Sequence, residues 1–282
     1  MKKIIPFLIM TFFWSCSNGD MTAKIAELEK AHAETPTTEI KKELLASYTT
    51  YLNELKDDAN SYSQFAHKKA MLEMDLNQYD NANLTLTTAI QNHPTGTSSN
   101  ENIGLLSSVL VNHVHASKFE SAIEDFKKLY PDPATVKNTF SPIIKSLGET
   151  MFDTKTGNRD RIKVRNFISL ARIQAGIVKN DDEVQKSLFS AAEMSNSIKN
   201  YKQTLAIYDY IIAHPNNFSK APTALFLKGF TYDEHLKNLE EAKKHYTEYL
   251  EKHPEGGYAE SAQASLRNLG KSAEEIIQSF GK

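Results

Sequence analysis

His-Pro pairs recur along the 282-residue chain, at His93-Pro94, His214-Pro215 and His253-Pro254, and Tyr130-Pro131 follows the same pattern. Proline disfavours helical backbone in the residue before it, so each pair is predicted to end a helix. The four prolines are separated by 37, 84 and 39 residues. Since the middle interval is about two units long, a structural unit of roughly 37 to 42 residues recurs along the chain.

The segments between these prolines are rich in helix-forming residues and lack a sustained alternation of apolar and polar residues. The sequence therefore predicts an all-α fold, an α-solenoid of antiparallel helix pairs. Stacked neighbours would bury apolar faces that no single pair can bury. The net charge of −2 and the absence of a basic stripe argue against a nucleic-acid partner.

Residues 224–254 form the clearest unit, with two helical stretches joined by a short segment. The order of small, aromatic, small, aromatic and proline residues resembles the tetratricopeptide repeat, with one additional residue in the joint. The residues that carry the resemblance are Gly229, Tyr232, Ala242, Tyr246 and Pro254.

Two other units match this pattern in part. One does so through Ala82, Ala89 and Pro94, and the unit that ends at Pro215 has Gln203 where a small residue is expected. The units exceed the usual period of about 34 residues, so HEAT-like helix pairs are the structural alternative. The spacing of 12 residues from alanine to proline, at 82–94 and at 242–254, favours the tetratricopeptide resemblance, which is best over residues 180–282.

The first residues have the pattern of an export signal, with Lys2 and Lys3 before an apolar run that is too short to span a bilayer. Cys16 is the only cysteine, so an internal disulfide is excluded. Its position resembles the lipobox of bacterial lipoproteins, in which the cysteine is acylated, although Phe13 and Trp14 depart from that family's preferred residues. An ordinary secretory signal that leaves an incidental thiol is the alternative.

The expected organisation is a signal peptide (1–15), a tether (16–22), N-terminal helical repeats (23–152), a loop (153–160), and C-terminal tetratricopeptide-like repeats with a capping helix (161–282). Gly270 is predicted to stop a helix, and Ser272 and Glu275 have the spacing of a capping box. Ile276, Ile277 and Phe280 would then cover the last open face. The sequence does not fix the helix pairing within 134–180.

Chemical motifs are incomplete wherever they occur. Gly270-Lys271-Ser272 lacks the first glycine of a phosphate-binding loop, because position 265 is serine. His113 and His115 are two residues apart and would lie on different faces of a helix. In residues 153–160, Lys155 and Gly157 stand where a calcium loop needs oxygen ligands. The sequence therefore predicts no catalytic residue, no metal and no cofactor.

The resemblance implies a non-enzymatic lipoprotein of a Bacteroidetes-like bacterial cell envelope, anchored through Cys16 and expected in the outer membrane facing the periplasm. It would act as a scaffold or adaptor for an envelope protein or peptide, with outer-membrane or cell-wall assembly as candidate processes. Its contact residues would be Phe226, Phe230, Asp233 and Glu234, and packing between repeats is the alternative role of the two phenylalanines. A small-ligand or glycan-binding lipoprotein of an uptake system is the alternative function. Such proteins usually carry exposed aromatic side chains that bind the ligand, and the only tryptophan here, Trp14, lies in the predicted signal peptide, which disfavours this alternative.

Overall fold

The computed structural model describes residues 18–215, 218–272, 274, 275 and 277. Over these ranges the chain forms thirteen α-helices and no strand, so the predicted all-α class is confirmed. Two of the helices, α5 and α11, continue into π-helical turns at Leu110–Val114 and Thr231–His235. The helices are α1 (Asn18–Glu34), α2 (Thr38–Glu54), α3 (Ala59–Asp75), α4 (Tyr79–Asn92), α5 (Ser99–Val109), α6 (Phe119–Leu129), α7 (Pro133–Thr150), α8 (Arg161–Ile177), α9 (Asp182–Ser197), α10 (Tyr201–Ala213), α11 (Ala221–Phe230), α12 (Leu239–Lys252) and α13 (Ala259–Asn268).

The chain forms two compact units that divide between Ile103 and Gly104, inside α5. In the first unit, α1 packs on α2, α2 on α3 and α3 on α4. In the second unit, each helix from α7 to α12 packs on the next, and α6 also packs on α8. Short connections make such neighbours antiparallel, as predicted. The pairing that the sequence left open joins α7 to α8, and the loop 153–160 connects these two helices inside the second unit.

The four X-Pro pairs end helices, as the sequence predicts. His93, His214 and His253 have φ between −138° and −130° and ψ between 59° and 62°, and Tyr130 has φ −135° and ψ 81°. Each of these residues donates its N–H to the carbonyl four positions earlier, at 2.8–3.1 Å. The steric demand of the following proline therefore ends each helix after a last complete hydrogen bond.

The connections into four helices share a left-handed residue directly before the N-cap. Asn77, Asn180, Lys199 and Lys237 have φ between 53° and 62°. They precede the N-caps of α4, α9, α10 and α12. Lysine is a costly choice for this conformation, because its Cβ crowds the following carbonyl oxygen.

A small residue is fully buried four positions after the N-cap in each of α4, α6, α10 and α12. These residues are Ala82, Ala122, Thr204 and Ala242. The sequence assigned this place in α10 to Gln203, and that assignment is wrong by one residue. A spacing of 12 residues before Pro215 leads to Gln203, but α10 has 13 residues and α12 has 14, so the buried position is fixed by the N-cap and not by the proline.

The predicted tether is partly helical, and the predicted helix stop and capping box are present at the other end of the described chain. Cys16 lies outside the described residues, and residues 18–22, expected in the tether, belong to α1, where Met21 packs on the first unit's core. At the other end, Gly270 has φ +76°, as predicted for a helix stop. The capping box is present, since Ser272 N–H donates to Glu275 Oε2 at 2.7 Å and Glu275 N–H donates to Ser272 Oγ at 3.2 Å.

The predicted capping helix can be followed only in part. Ile277 is exposed, and Ile276 and Phe280 lie outside the described residues. Across the helices that the structure describes, none combines the length and apolar character needed to cross a membrane.

Candidate functional site

The π-helical turn at the end of α11 accommodates the additional residue that the sequence places in the joint of the clearest unit. Leu236 N–H donates to the carbonyl of Thr231, five positions earlier, at 3.1 Å. A single wide turn absorbs one inserted residue without changing the register of the flanking helix. It also carries Asp233 and Glu234, two of the predicted contact residues.

Gly229 sets how closely α12 approaches α11. A Cβ at this position would lie 2.9 Å from Cδ1 of Tyr246 and 3.4 Å from Cβ of His245. The absence of a side chain therefore lets the Tyr246 ring lie directly against the α11 backbone.

Asp233 and Glu234 line a groove of about 430 Å³, which we call the joint groove. One side is formed by the π turn and the joint that follows it, and the other by α13 and the segment after it. Its lining residues are Asp233, Glu234, Lys237, Leu239, Ala264, Ser265, Asn268, Gly270 and Lys271.

The two acids of the joint groove have different surroundings. Tyr246 OH donates to Asp233 Oδ2 at 3.3 Å, and Glu234 Oε2 lies 3.4 Å from Nζ of Lys237. Burial raises the pKa of Asp233, and the neighbouring Glu234 carboxylate raises it further. The joint groove therefore offers one partly buried carboxylate and one exposed, lysine-paired carboxylate.

The two predicted phenylalanines do not share this groove. Phe226 is 6% exposed and stacks on Tyr258 with ring centroids 4.6 Å apart, so packing within the unit describes its position. Phe230 is 37% exposed, and its ring and the His235 ring form a T-shaped pair with centroids 6.0 Å apart. The structure thus brings together Asp233 and Glu234 only, and a binding role for the four residues stays a prediction.

A second and larger cavity, of about 860 Å³, lies in the second unit among the π turn after α5, helix α8, the start of α10 and the loop 153–160. Three arginines line it, Arg159, Arg161 and Arg165, and we call it the arginine cleft. From the sequence, this segment is predicted only to be a loop followed by a helix. The available signal was that three of the chain's five arginines fall within seven consecutive positions.

Comparison with known families identifies one segment. Residues 223–256 match the family model of the tetratricopeptide repeat. A search of curated proteins finds no match to the chain. The matched segment contains most of α11, the π turn and α12, so the fold and the match together define an all-α helical-repeat protein that carries a tetratricopeptide repeat.

The matched segment has the usual length of about 34 residues for this repeat. The longer intervals between prolines therefore include the connecting segments. Tetratricopeptide repeats generally mediate protein–protein interaction, and proteins of this family are typically non-catalytic scaffolds.

Proposed function

We propose that this protein is a non-enzymatic scaffold that binds a partner protein through its second unit, and that it acts as a lipid-anchored component of a bacterial cell envelope. The observation that carries the proposal is the joint groove beside the matched tetratricopeptide repeat. Its exposed Glu234 and Lys237 present polar groups of both signs, which is typical of the polar rim of a protein interface.

Site-specific photo-crosslinking in intact cells tests the partner. A photo-reactive amino acid replaces Glu234, which lines the joint groove, and in a control strain it replaces Glu251, an exposed residue of α12 that does not line it. We expect position 234 to capture one defined protein that position 251 does not. Equal capture from both positions, or no capture from position 234, would contradict a scaffold that uses this groove.

The lipid anchor is proposed from the order of residues before Cys16, namely two lysines, an apolar run and a lone cysteine. The mature protein is expected to carry acyl chains on Cys16, and Ser17, which is not acidic, favours the outer membrane by resemblance to other lipoproteins. Metabolic labelling with an alkyne fatty acid should mark the wild-type protein and leave Cys16→Ser unlabelled. A labelled Cys16→Ser protein, or fractionation with the inner membrane, would overturn the respective part of the proposal.

A role in outer-membrane or cell-wall assembly is the finer proposal. It rests on the tetratricopeptide resemblance together with the proposed envelope location. The identity of the protein captured from position 234 tests it. A captured component of outer-membrane or cell-wall assembly supports the role, and a partner outside these processes contradicts it.

A further inference from the structure

The arginine cleft displays three guanidinium groups from two structural elements. Arg159 lies in the loop 153–160, one residue before the N-cap of α8, and Arg161 and Arg165 lie one turn apart at the start of α8. Residues four apart on a helix share a face, so the two α8 arginines point in the same direction. All three side chains are exposed.

The loop is a small hairpin that fixes Arg159 at the cleft. Asp153 N–H donates to the carbonyl of Asn158, and Asp160 N–H donates to the carbonyl of Met151, both at 2.9 Å. The Arg159 guanidinium lies 5.2 Å from the Phe152 ring centroid, and its Nη1 donates to Ser197 Oγ at 2.8 Å. Arg159 is therefore oriented by an aromatic ring and a hydroxyl group.

Among the residues that the structure describes, no carboxylate forms an ion pair with the arginines of the cleft. Within the part of the chain that the structure describes, none of the three arginines forms an ion pair, whereas the lysines form many. The carboxylate of Asp160, their neighbour in sequence, caps α8 by accepting from the N–H groups of Ile162 and Lys163 at 2.9 and 3.1 Å. The described residues that line the cleft include neither Asp nor Glu.

His113 lies close enough to Arg165 for the charge of that arginine to act on it. Burial lowers the pKa of His113, and the positive charge of Arg165 lowers it further. The cleft thus concentrates three positive charges in a chain whose net charge is −2. Such an uncompensated group of charges attracts an anionic ligand before contact and orients it.

The remaining lining favours a peptide over a small anion. Ile198, which is 43% exposed, provides apolar surface, whereas Val164 and Ile168 line the cleft but are almost fully buried. A volume of about 860 Å³ is much larger than one phosphate or carboxylate group needs. Separate guanidinium groups, which bind carboxylates in bidentate geometry, match successive acidic side chains interrupted by apolar residues.

We infer that the arginine cleft binds an acidic, partly apolar peptide segment of the partner protein. This inference rests on the proposed scaffold function and names the chemistry of what the scaffold binds. Arg161 and Arg165 would pair with two carboxylates along α8, Arg159 would pair with a third, and Ile198 would contact an apolar side chain between them.

The test is fluorescence anisotropy with the purified full-length protein in detergent. The probe is a labelled peptide of alternating Glu and Leu residues, and the control peptide has Gln in place of every Glu. We expect Arg161→Gln/Arg165→Gln to weaken binding of the acidic peptide roughly tenfold, because two charge-assisted pairs are lost. The affinity of Arg161→Lys/Arg165→Lys for the acidic peptide should lie between those of wild type and the glutamine variant, since lysine keeps the charge without the bidentate geometry.

The matched control is Lys128→Gln/Lys243→Gln, which removes the same charge from exposed positions of the second unit outside the cleft. It should bind within about twofold of wild type at 150 mM salt, because separated surface charges are screened there. Unchanged binding by the α8 double variant, or equal binding of the Gln peptide, would overturn the inference. A single-stranded DNA oligomer of equal charge that binds more tightly than the acidic peptide would overturn it as well.

The photo-crosslink from position 234 separates this inference from the scaffold function. If the partner is still captured while the acidic peptide does not bind, the cleft inference fails and the scaffold stands. If the α8 double variant loses both peptide binding and the crosslink, while its circular dichroism matches wild type, the cleft inference and the scaffold function are both supported.

Discussion

Truncation of Phe226 to alanine tests whether this residue holds the tetratricopeptide unit together. The side chain is 6% exposed, so the substitution removes roughly 120 Å² of buried apolar area, worth about 3 kcal/mol at ~25 cal/mol per Å². The ring also stacks on Tyr258 at 4.6 Å and meets Tyr249 edge-on at 5.9 Å. Aromatic pairs of this kind add roughly 0.5–1.5 kcal/mol. Two such contacts add about 1–3 kcal/mol to the roughly 3 kcal/mol of buried area, so we expect Phe226→Ala to lower the free energy of unfolding by about 4–6 kcal/mol.

The assay must report on the unit that contains Phe226. In a helical-repeat array, stability is a sum of local terms, so one global transition does not isolate a single repeat. Amide hydrogen exchange in α11 and α12 should show protection reduced by at least roughly 100-fold, because a factor of 100 corresponds to about 2.7 kcal/mol. Urea denaturation followed by circular dichroism should show the same loss in the least stable transition.

Two variants serve as controls for this prediction. Phe226→Leu keeps most of the volume and should cost less than about 1.5 kcal/mol. Phe230→Ala removes a ring that is 37% exposed and should cost less than Phe226→Ala. A loss below about 1 kcal/mol for Phe226→Ala, or a larger loss for Phe230→Ala, would refute the assignment of Phe226 to the core.

Three further substitutions test other parts of the second unit. Lys237→Gly should raise the free energy of unfolding by up to about 1 kcal/mol, because position 237 has φ 53° and glycine adopts this conformation without strain. The control Lys243→Gly, inside α12, should lower the free energy of unfolding by about as much. An unchanged urea midpoint for Lys237→Gly would contradict the presence of backbone strain at this position. His245 is buried, which lowers its pKa, so the unfolded state binds a proton first and stability should fall as pH drops below about 6.5. Urea midpoints between pH 7.5 and 5 should fall less steeply for His245→Gln, and parallel curves would contradict this. Ala242→Leu should cost about 1–3 kcal/mol by overpacking a fully buried site, whereas a neutral effect on thermal unfolding would indicate unfilled space.

The helix ends could be predicted from the sequence because the forces that set them act between neighbouring residues. The clash of proline with the residue before it needs no tertiary contact, and a helix ends before each of Pro94, Pro131, Pro215 and Pro254, although α7 continues through Pro142. The capping box at Ser272 and Glu275 is local in the same way. The assignment of Gln203 failed because it measured from the proline, although the helix register starts at the N-cap Asn200.

The candidate sites depended on contacts between distant residues. Phe226 and Phe230 lie four apart on one helix, yet only Phe226 is covered by Tyr258, which comes from the start of the next helix pair. Likewise, the arginines are visible in the sequence, but the partner of Arg159 is Ser197, 38 residues away. Sequence patterns give the faces of each helix, whereas burial depends on which other helix meets that face.

The sequence by itself determined the all-α class, the ends of the repeat units and the tetratricopeptide segment, because these follow from backbone sterics and helical periodicity over a few residues. Only the tertiary structure decided that Asp233 and Glu234 line one groove and that three arginines share another, whose described lining residues include no carboxylate. The physical reason is that an ion pair or a cleft is a relation between side chains brought together by helix packing, and the order of residues along the chain does not specify it.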